Sequence, residues 1–194
     1  MKIALFGATG MVGTRFAAEA TARGHEVTGL SRSTGGDLAD PAAVRDAAAS
    51  HDVIVSATGP SRTGAPHQEW LDAVATLIAN AGDARVLFVG GAGSLLTPDG
   101  TRLLDTDDFP EEYKAEATSG AAALDLFRAA PDSLDWTFVS PAPVIAPGER
   151  TGSYATSLDT PAGDFISAED YAVVLVDEIE QPQHRRQRFS AATA

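Results

Sequence analysis

MKIALFGATGMVGTRF (1–16) decides the fold: a short apolar run, glycines at 7, 10 and 13, then apolar residues at helical spacing. An apolar strand that turns sharply into a helix reads as the first half of a β-α-β unit. Three residues without side chains at that corner let the backbone approach an anion. The helix behind them aims its free N-terminal amides and positive dipole end at the same point. The spacing is G-x-x-G-x-x-G, set directly between strand and helix, the context in which a glycine triplet indicates a dinucleotide pyrophosphate. Gly7, Thr9, Gly10, Met11, Val12 and Gly13 are therefore the first candidate cofactor-binding residues.

Outward from this corner, apolar runs recur at EVTGLS (26–31), DVIVSA (52–57), RVLFVG (85–90) and DWTFVS (135–140). Apolar on both faces and rich in β-branched residues, they read as buried parallel strands. PAAVRDAAAS (41–50), HQEWLDAVATLIANAG (67–82) and EEYKAEATSGAAALDLFRAA (111–130) lie between them with helical spacing. After the Pro-rich SPAPVIAPGERTG (140–152) comes ISAEDYAVVLVDEIE (166–180), with Ser167 placed as a cap and Glu169 and Asp170 in the first turn. RQRFSA (186–191) reads as a last edge strand. This alternation predicts a Rossmann-like, doubly wound parallel α/β sheet with helices on both faces, in a single domain over 1–194. Only 32–51 separate the second and third runs, and one helix uses half of that segment. The extra edge strand usual in such folds is therefore expected to be missing or rudimentary, around GGDL (35–38).

With 194 residues, 44% of them hydrophobic, the chain can bury an ordinary core. It has no cysteine, which excludes a disulfide framework, a thiolate nucleophile and a zinc-thiolate site. A net charge of -13 argues against an extended nucleic-acid surface, and the one basic cluster, HRRQR (184–188), reads as a solvated helix end and final strand. Glycines follow the first apolar run too soon for a signal peptide, and no run is long enough to span a membrane. The expectation is a cytoplasmic monomer or homodimer whose partner is a small-molecule acceptor, with no nucleic acid, no membrane and no metal.

The second run ends in Ser31 and Arg32, where binders of NAD carry an acidic residue for the ribose 2′-hydroxyl. An arginine there suits a 2′-phosphate, with Ser31 as a second donor, so NADP(H) is favoured over NAD(H).

GATGMVG, DLADPAAV, DVIVSATG, VLFVGGAGSL, EEYKAEA, LDWTFVSPAPVIAPGERTG and ISAEDYAVVLVDEIEQPQHRRQRF together make the sequence resemble the atypical short-chain dehydrogenase/reductases. Within them it is similar to the NAD(P)H-binding group of NmrA-like proteins, biliverdin reductase B-like enzymes and NADH-flavin reductases. The resemblance runs nearly end to end. It implies that Asp37 and Leu38 border the adenine, that Ala57, Thr58 and Gly59 border the ribose, and that the loop from Pro141 through Val144 to Ile145 faces the nicotinamide. It also implies a place near the substrate carbonyl for Ser94, although GGAGSL reads equally as a flexible turn. The short segment after Arg32 and the compact stretch between Tyr154 and Ile166 depart from the family pattern and bear on the substrate pocket.

Classical members pair a tyrosine with a lysine four residues on, which puts both on one helix face, so that the ammonium lowers the phenol's pKa. The only lysines here are Lys2 and Lys114, and Pro110 stands four residues before Lys114. No such dyad exists. Tyr113 and Lys114 are adjacent, so at most one faces the cofactor; equally, DTDDFPEEYK (105–114) reads as a helix start with Asp107 or Asp108 near the cap. Of four histidines only His67 follows a strand, as proton donor or bystander. Trp70, Phe109, Trp136 and Tyr154 are candidates for a planar pocket, with core packing the expected role of Trp136. The reading is an NADPH-dependent reductase of a flavin, quinone or similar planar acceptor, with Ser94, Tyr113 or Lys114 beside that acceptor. A non-catalytic NADP(H)-binding redox sensor is the alternative. An epimerase or dehydratase is disfavoured, because such enzymes need the dyad and a larger substrate domain.

Overall fold

KIALF cannot leave water on either face, and the structure buries its last four residues. The computed structural model describes residues 1–194. In chain order it contains β1 (Lys2–Phe6), α1 (Met11–Ala22), β2 (Glu26–Leu30), α2 (Pro41–Ser50), β3 (Val53–Ser56), α3 (His67–Asn80), β4 (Arg85–Val89), α4 (Glu111–Arg128) and β5 (Trp136–Pro141). These are followed by β6 (Val144–Ala146), β7 (Tyr154–Ser157), β8 (Phe165–Ser167), α5 (Ala168–Glu180) and β9 (Gln187–Thr193). Seven strands form one sheet in the order β2-β1-β3-β4-β5-β9-β7, parallel except for β7, which runs antiparallel to β9. Strand order reverses between β1 and β3: Ile3 pairs with Val27 on one side and Val53 on the other. In an open sheet, ligands bind at such a switch point, beyond the strands' carboxyl ends.

Alternate residues of the central strands feed two cores. Ile3, Leu5, Val55 and Leu87 pack with Phe16 of α1 and Val174 and Leu175 of α5. Phe6, Ile54, Phe88 and Phe138 pack with Val44 of α2, Leu77 of α3 and Phe127 of α4. Phe88 lies 4.9 Å from Phe127 and 5.3 Å from Phe138, centroid to centroid. Fully burying each such ring contributes roughly 1.5–3 kcal/mol. The doubly wound reading therefore holds, as does the burial of Trp136.

Beyond β2 no further strand is paired; a single 3-10 turn at Arg32–Thr34 leads to α2, whose cap, Asp40, accepts the Ala42 amide. The shortened segment thus leaves β2 as the edge, as its length requires. Four expectations need correction. EVTGLS forms β2, a parallel strand but an edge one, and none of its residues is buried. RQRFSA belongs to β9, which is not an edge: it lies between β5 and β7, and its five central residues are buried. The basic cluster is not solvated throughout, because Arg188 is buried with its guanidinium on Asp159 and His184 stacks on Phe189. Finally, α4 starts at Glu111 behind Pro110 with no side-chain cap, so neither Asp107 nor Asp108 caps it. β6 and β8 escaped sequence reading because three residues are too few to show a period, and β7 because its run, YATS, is polar. No helix is long and apolar enough to cross a membrane.

Candidate functional site

Two positions at the corner between β1 and α1, Gly7 and Gly13, admit no side chain. Gly7 has φ +86°, and a Cβ there would lie 2.5 Å from the Ala57 carbonyl oxygen; one on Gly13 would lie 2.1 Å from the Gly7 oxygen. Gly10 caps α1 with backbone alone, the first turn carries no acid, and the first helical bond runs from the Thr14 amide to the Gly10 carbonyl. The amides of Met11, Val12 and Gly13 are left without a partner in the chain. Three free N–H groups at a helix's positive end form a geometry that can hold an anion. Beside it, Ala57–Gly59 follow β3. Thr58 Oγ1 lies 3.0 Å from Ser56 Oγ and accepts from Trp70 Nε1 at 3.1 Å, so Trp70 braces this loop.

At the end of β2, Ser31 Oγ lies 2.9 Å from Ser33 Oγ and 3.2 Å from Thr34 Oγ1. Arg32 is exposed and makes no ion pair or side-chain hydrogen bond. Three hydroxyls and an unpaired guanidinium thus share one turn. Asp37 accepts the Ala39 amide, and Leu38 is buried in the core beneath.

Exposed apolar side chains stand on the segments after β5 and at the starts of α1 and α4. Pro141 is buried at the end of β5, whereas Val144 is exposed and pairs directly with exposed Phe165 across the β6–β8 ladder. Met11 and Tyr113 are exposed at the starts of α1 and α4. Met11, Tyr113 and Val144 thus stand on segments that follow the carboxyl ends of β1, β4 and β5, and Phe165 joins them through its pairing with Val144. Gly59 and Gly91 face open space at the ends of β3 and β4.

The proposed chemical residues are not gathered in one place. Tyr113 is 56% exposed. Glu116, one turn further along the same face of α4, receives Arg62 in a bidentate pair at 2.6 and 3.0 Å, which ties the loop after β3 to the first turns of α4. That carboxylate raises the pKa of Arg62. Lys114 pairs loosely with Glu111, at 3.8 Å. Ser94 is buried, accepts from Arg188 at 3.3 Å, and opens on a cavity of about 100 Å3 lined by Ala121, Leu124, Asp125 and Arg128 of α4. That is at least two helical turns, about 12 Å, from Tyr113.

His67 holds structure together: Nδ1 lies 2.8 Å from Ser119 Oγ and Nε2 lies 2.9 Å from the Ser61 carbonyl, so neither nitrogen is free. Tyr154 donates to Asp177, and burial, then that carboxylate, push its phenol up to about 12. Phe109 is half-buried behind the start of α4. Sequence reading placed Glu169 and Asp170 in the first turn of α5 but missed that they, with Arg15, Glu19 and Arg150, tie the segment after β6 to α1 and α5. One signal for them existed, since Glu19 stands on the face of α1 that its helical spacing buries.

Residues 33–182 match the family model described as NAD(P)H-binding. A solved structure from Burkholderia pseudomallei, provisionally named an exported protein, is 46% identical and covers 99% of each chain at a TM-score of 0.89. One from Streptococcus pneumoniae TIGR4, provisionally named an NADH-flavin reductase, is 36% identical over 100% of both chains at 0.87. A third, from Bacteroides thetaiotaomicron and provisionally named an epimerase, is 33% identical over 99% of this chain and 96% of its own at 0.88.

Proposed function

The chain belongs to the NAD(P)H-binding family, and on that premise we propose that it moves a hydride from NADPH to a small planar acceptor such as a flavin or quinone. The observation that carries the reading is the meeting of a cradle of three unpartnered amides at Met11–Gly13 with a rim of exposed apolar side chains, Met11 itself, Val144, Phe165 and Tyr113. The name of the Streptococcus relative supports an oxidoreductase, and the other two names do not choose an acceptor.

When bound, the nicotinamide supplies the hydride; the protein has to hold it, exclude water and present the acceptor. In this reading the amides of Met11, Val12 and Gly13 hold the pyrophosphate. Arg32, with Ser31, takes the 2′-phosphate, which favours NADP(H) over NAD(H). The residues around Asp37, Leu38 and Ala57–Gly59 border the adenosine, and Pro141–Ile145 border the nicotinamide. An acceptor that takes hydride into a conjugated ring needs little acid assistance, which accords with a chain that has no Tyr-Lys dyad, a fully engaged His67 and a buried Ser94. Tyr113, on the rim beside Arg62, is the hydroxyl best placed to hydrogen-bond an acceptor. The test is NADPH oxidation by purified protein against FMN, riboflavin and quinones. Saturable turnover supports the reading, and tight binding of NADPH with no turnover on any acceptor would replace it with the sensor.

A further inference from the structure

The segment Pro147–Ser153, between β6 and β7, is exposed and has no regular structure, yet nearly every residue in it is fixed. The Gly148 amide donates to Glu169 Oε2 at 2.7 Å, and Arg15 Nε donates to the other oxygen of that carboxylate at 2.6 Å. Arg15 also donates to the Met11 carbonyl at 2.9 Å, in the first turn of α1. The Glu149 carbonyl accepts from Ser167 Oγ at 2.8 Å. Arg150 forks onto Glu19 of α1 with two bonds of 2.7 Å. Asp170, wholly buried, accepts from the Thr151 amide and hydroxyl and the Gly152 amide at 2.7–2.8 Å.

An exposed loop does not require a buried carboxylate and a bidentate arginine pair to stay folded, since burying charges costs free energy that only full pairing offsets. What these ties accomplish is geometric. One end of the segment is Val144–Ala146, which borders the nicotinamide in the proposed function; the other anchor is α1, whose amides border the pyrophosphate. We propose that Pro147–Ser153 is a strap whose positioning residues, Arg150 on Glu19 and Asp170 beneath Thr151 and Gly152, hold the nicotinamide-facing segment in register with the pyrophosphate cradle. Glu19 carries a second arginine, Arg23, and its carboxyl is held down at about 2, first by the bond from Arg150, so the clamp stays charged across the working pH range. The inference rests on the cofactor placement of the preceding section.

The test compares wild type with Arg150→Met, which keeps the aliphatic stem, Arg150→Lys and Asp170→Asn. Three readouts apply: NADPH affinity, the emission of bound NADPH, and kcat against KM with the best acceptor. The strap predicts that Arg150→Met keeps NADPH affinity within about twofold, weakens the emission gain of the bound nicotinamide and lowers kcat about tenfold, because small misplacements cost rate rather than affinity. Arg150→Lys should recover part of both losses, and faster amide exchange at 144–153 should accompany them. A variant that lowers the melting temperature but leaves emission and kcat unchanged would overturn the strap, as would parallel loss of affinity and rate. If wild type binds NADPH without turnover, the reductase reading fails, while emission and amide exchange still decide the strap.

Discussion

Arg32 is the residue on which cofactor choice turns in this account. It stands unpaired among three hydroxyls, so a 2′-phosphate would meet it without displacing a partner. A charge-assisted bond of this kind contributes about 1.5–3 kcal/mol, so Arg32→Ala should weaken NADPH roughly 10- to 100-fold and NADH hardly at all in a fluorescence titration. Equal weakening of both cofactors would remove the 2′-phosphate role. At this scale the sequence was informative where a residue acts through its backbone or its place in the chain, as with Gly7, Gly13 and Arg32. It was uninformative where a role depends on a distant partner. Ser94 looked available because nothing near it in sequence shows Arg188 reaching it across 94 positions. His67 looked available because Ser119 lies on another helix.

Among elements, the β1–α1 corner carries the heaviest constraint. Any Cβ on Gly13 meets the Gly7 carbonyl, so the helix must draw back from the strand and its free amides with it. Gly13→Ala should cost about 2–3 kcal/mol, lower the melting temperature by about 4–10 °C, and abolish measurable NADPH binding. Undiminished binding in that variant would show that the amides are not the anion site. β1–β5 and all five helices were legible because each runs four residues or more with a clear apolar pattern between turn signals. β9 was legible as a strand but not in its place: the sheet buries it by adding β7 beyond it, and the polar run YATS gives no warning of that.

On the scale of the whole molecule, a chain with 27 acidic and 14 basic Lys and Arg residues spends several arginines inside its own seams. Arg23 joins Glu19 of α1 to Asp177 and Glu180 of α5, and Arg150 adds the strap to the same carboxylate. Because the Glu19 pKa is depressed to about 2 in the fold, its stabilisation is full above the unfolded carboxyl value and is lost as pH falls toward the folded one. Glu19→Gln should therefore cost about 2 kcal/mol at neutral pH, discounted because Arg150 is half exposed, and the gap from wild type should close between about pH 5 and pH 2 in denaturant titrations. A pH-independent gap would mean that Glu19 contributes by packing and not by charge.

The most direct test of the central claim is an anaerobic reaction of NADPH with FMN, in which nicotinamide and oxidised-flavin absorbance are followed together with and without the protein. The account predicts equimolar loss of both signals, accelerated by the protein, saturable in FMN and slowed in Arg32→Ala through the KM for NADPH. NADPH bound tightly but consumed no faster than in the protein-free control, with FMN and with quinones alike, would contradict it.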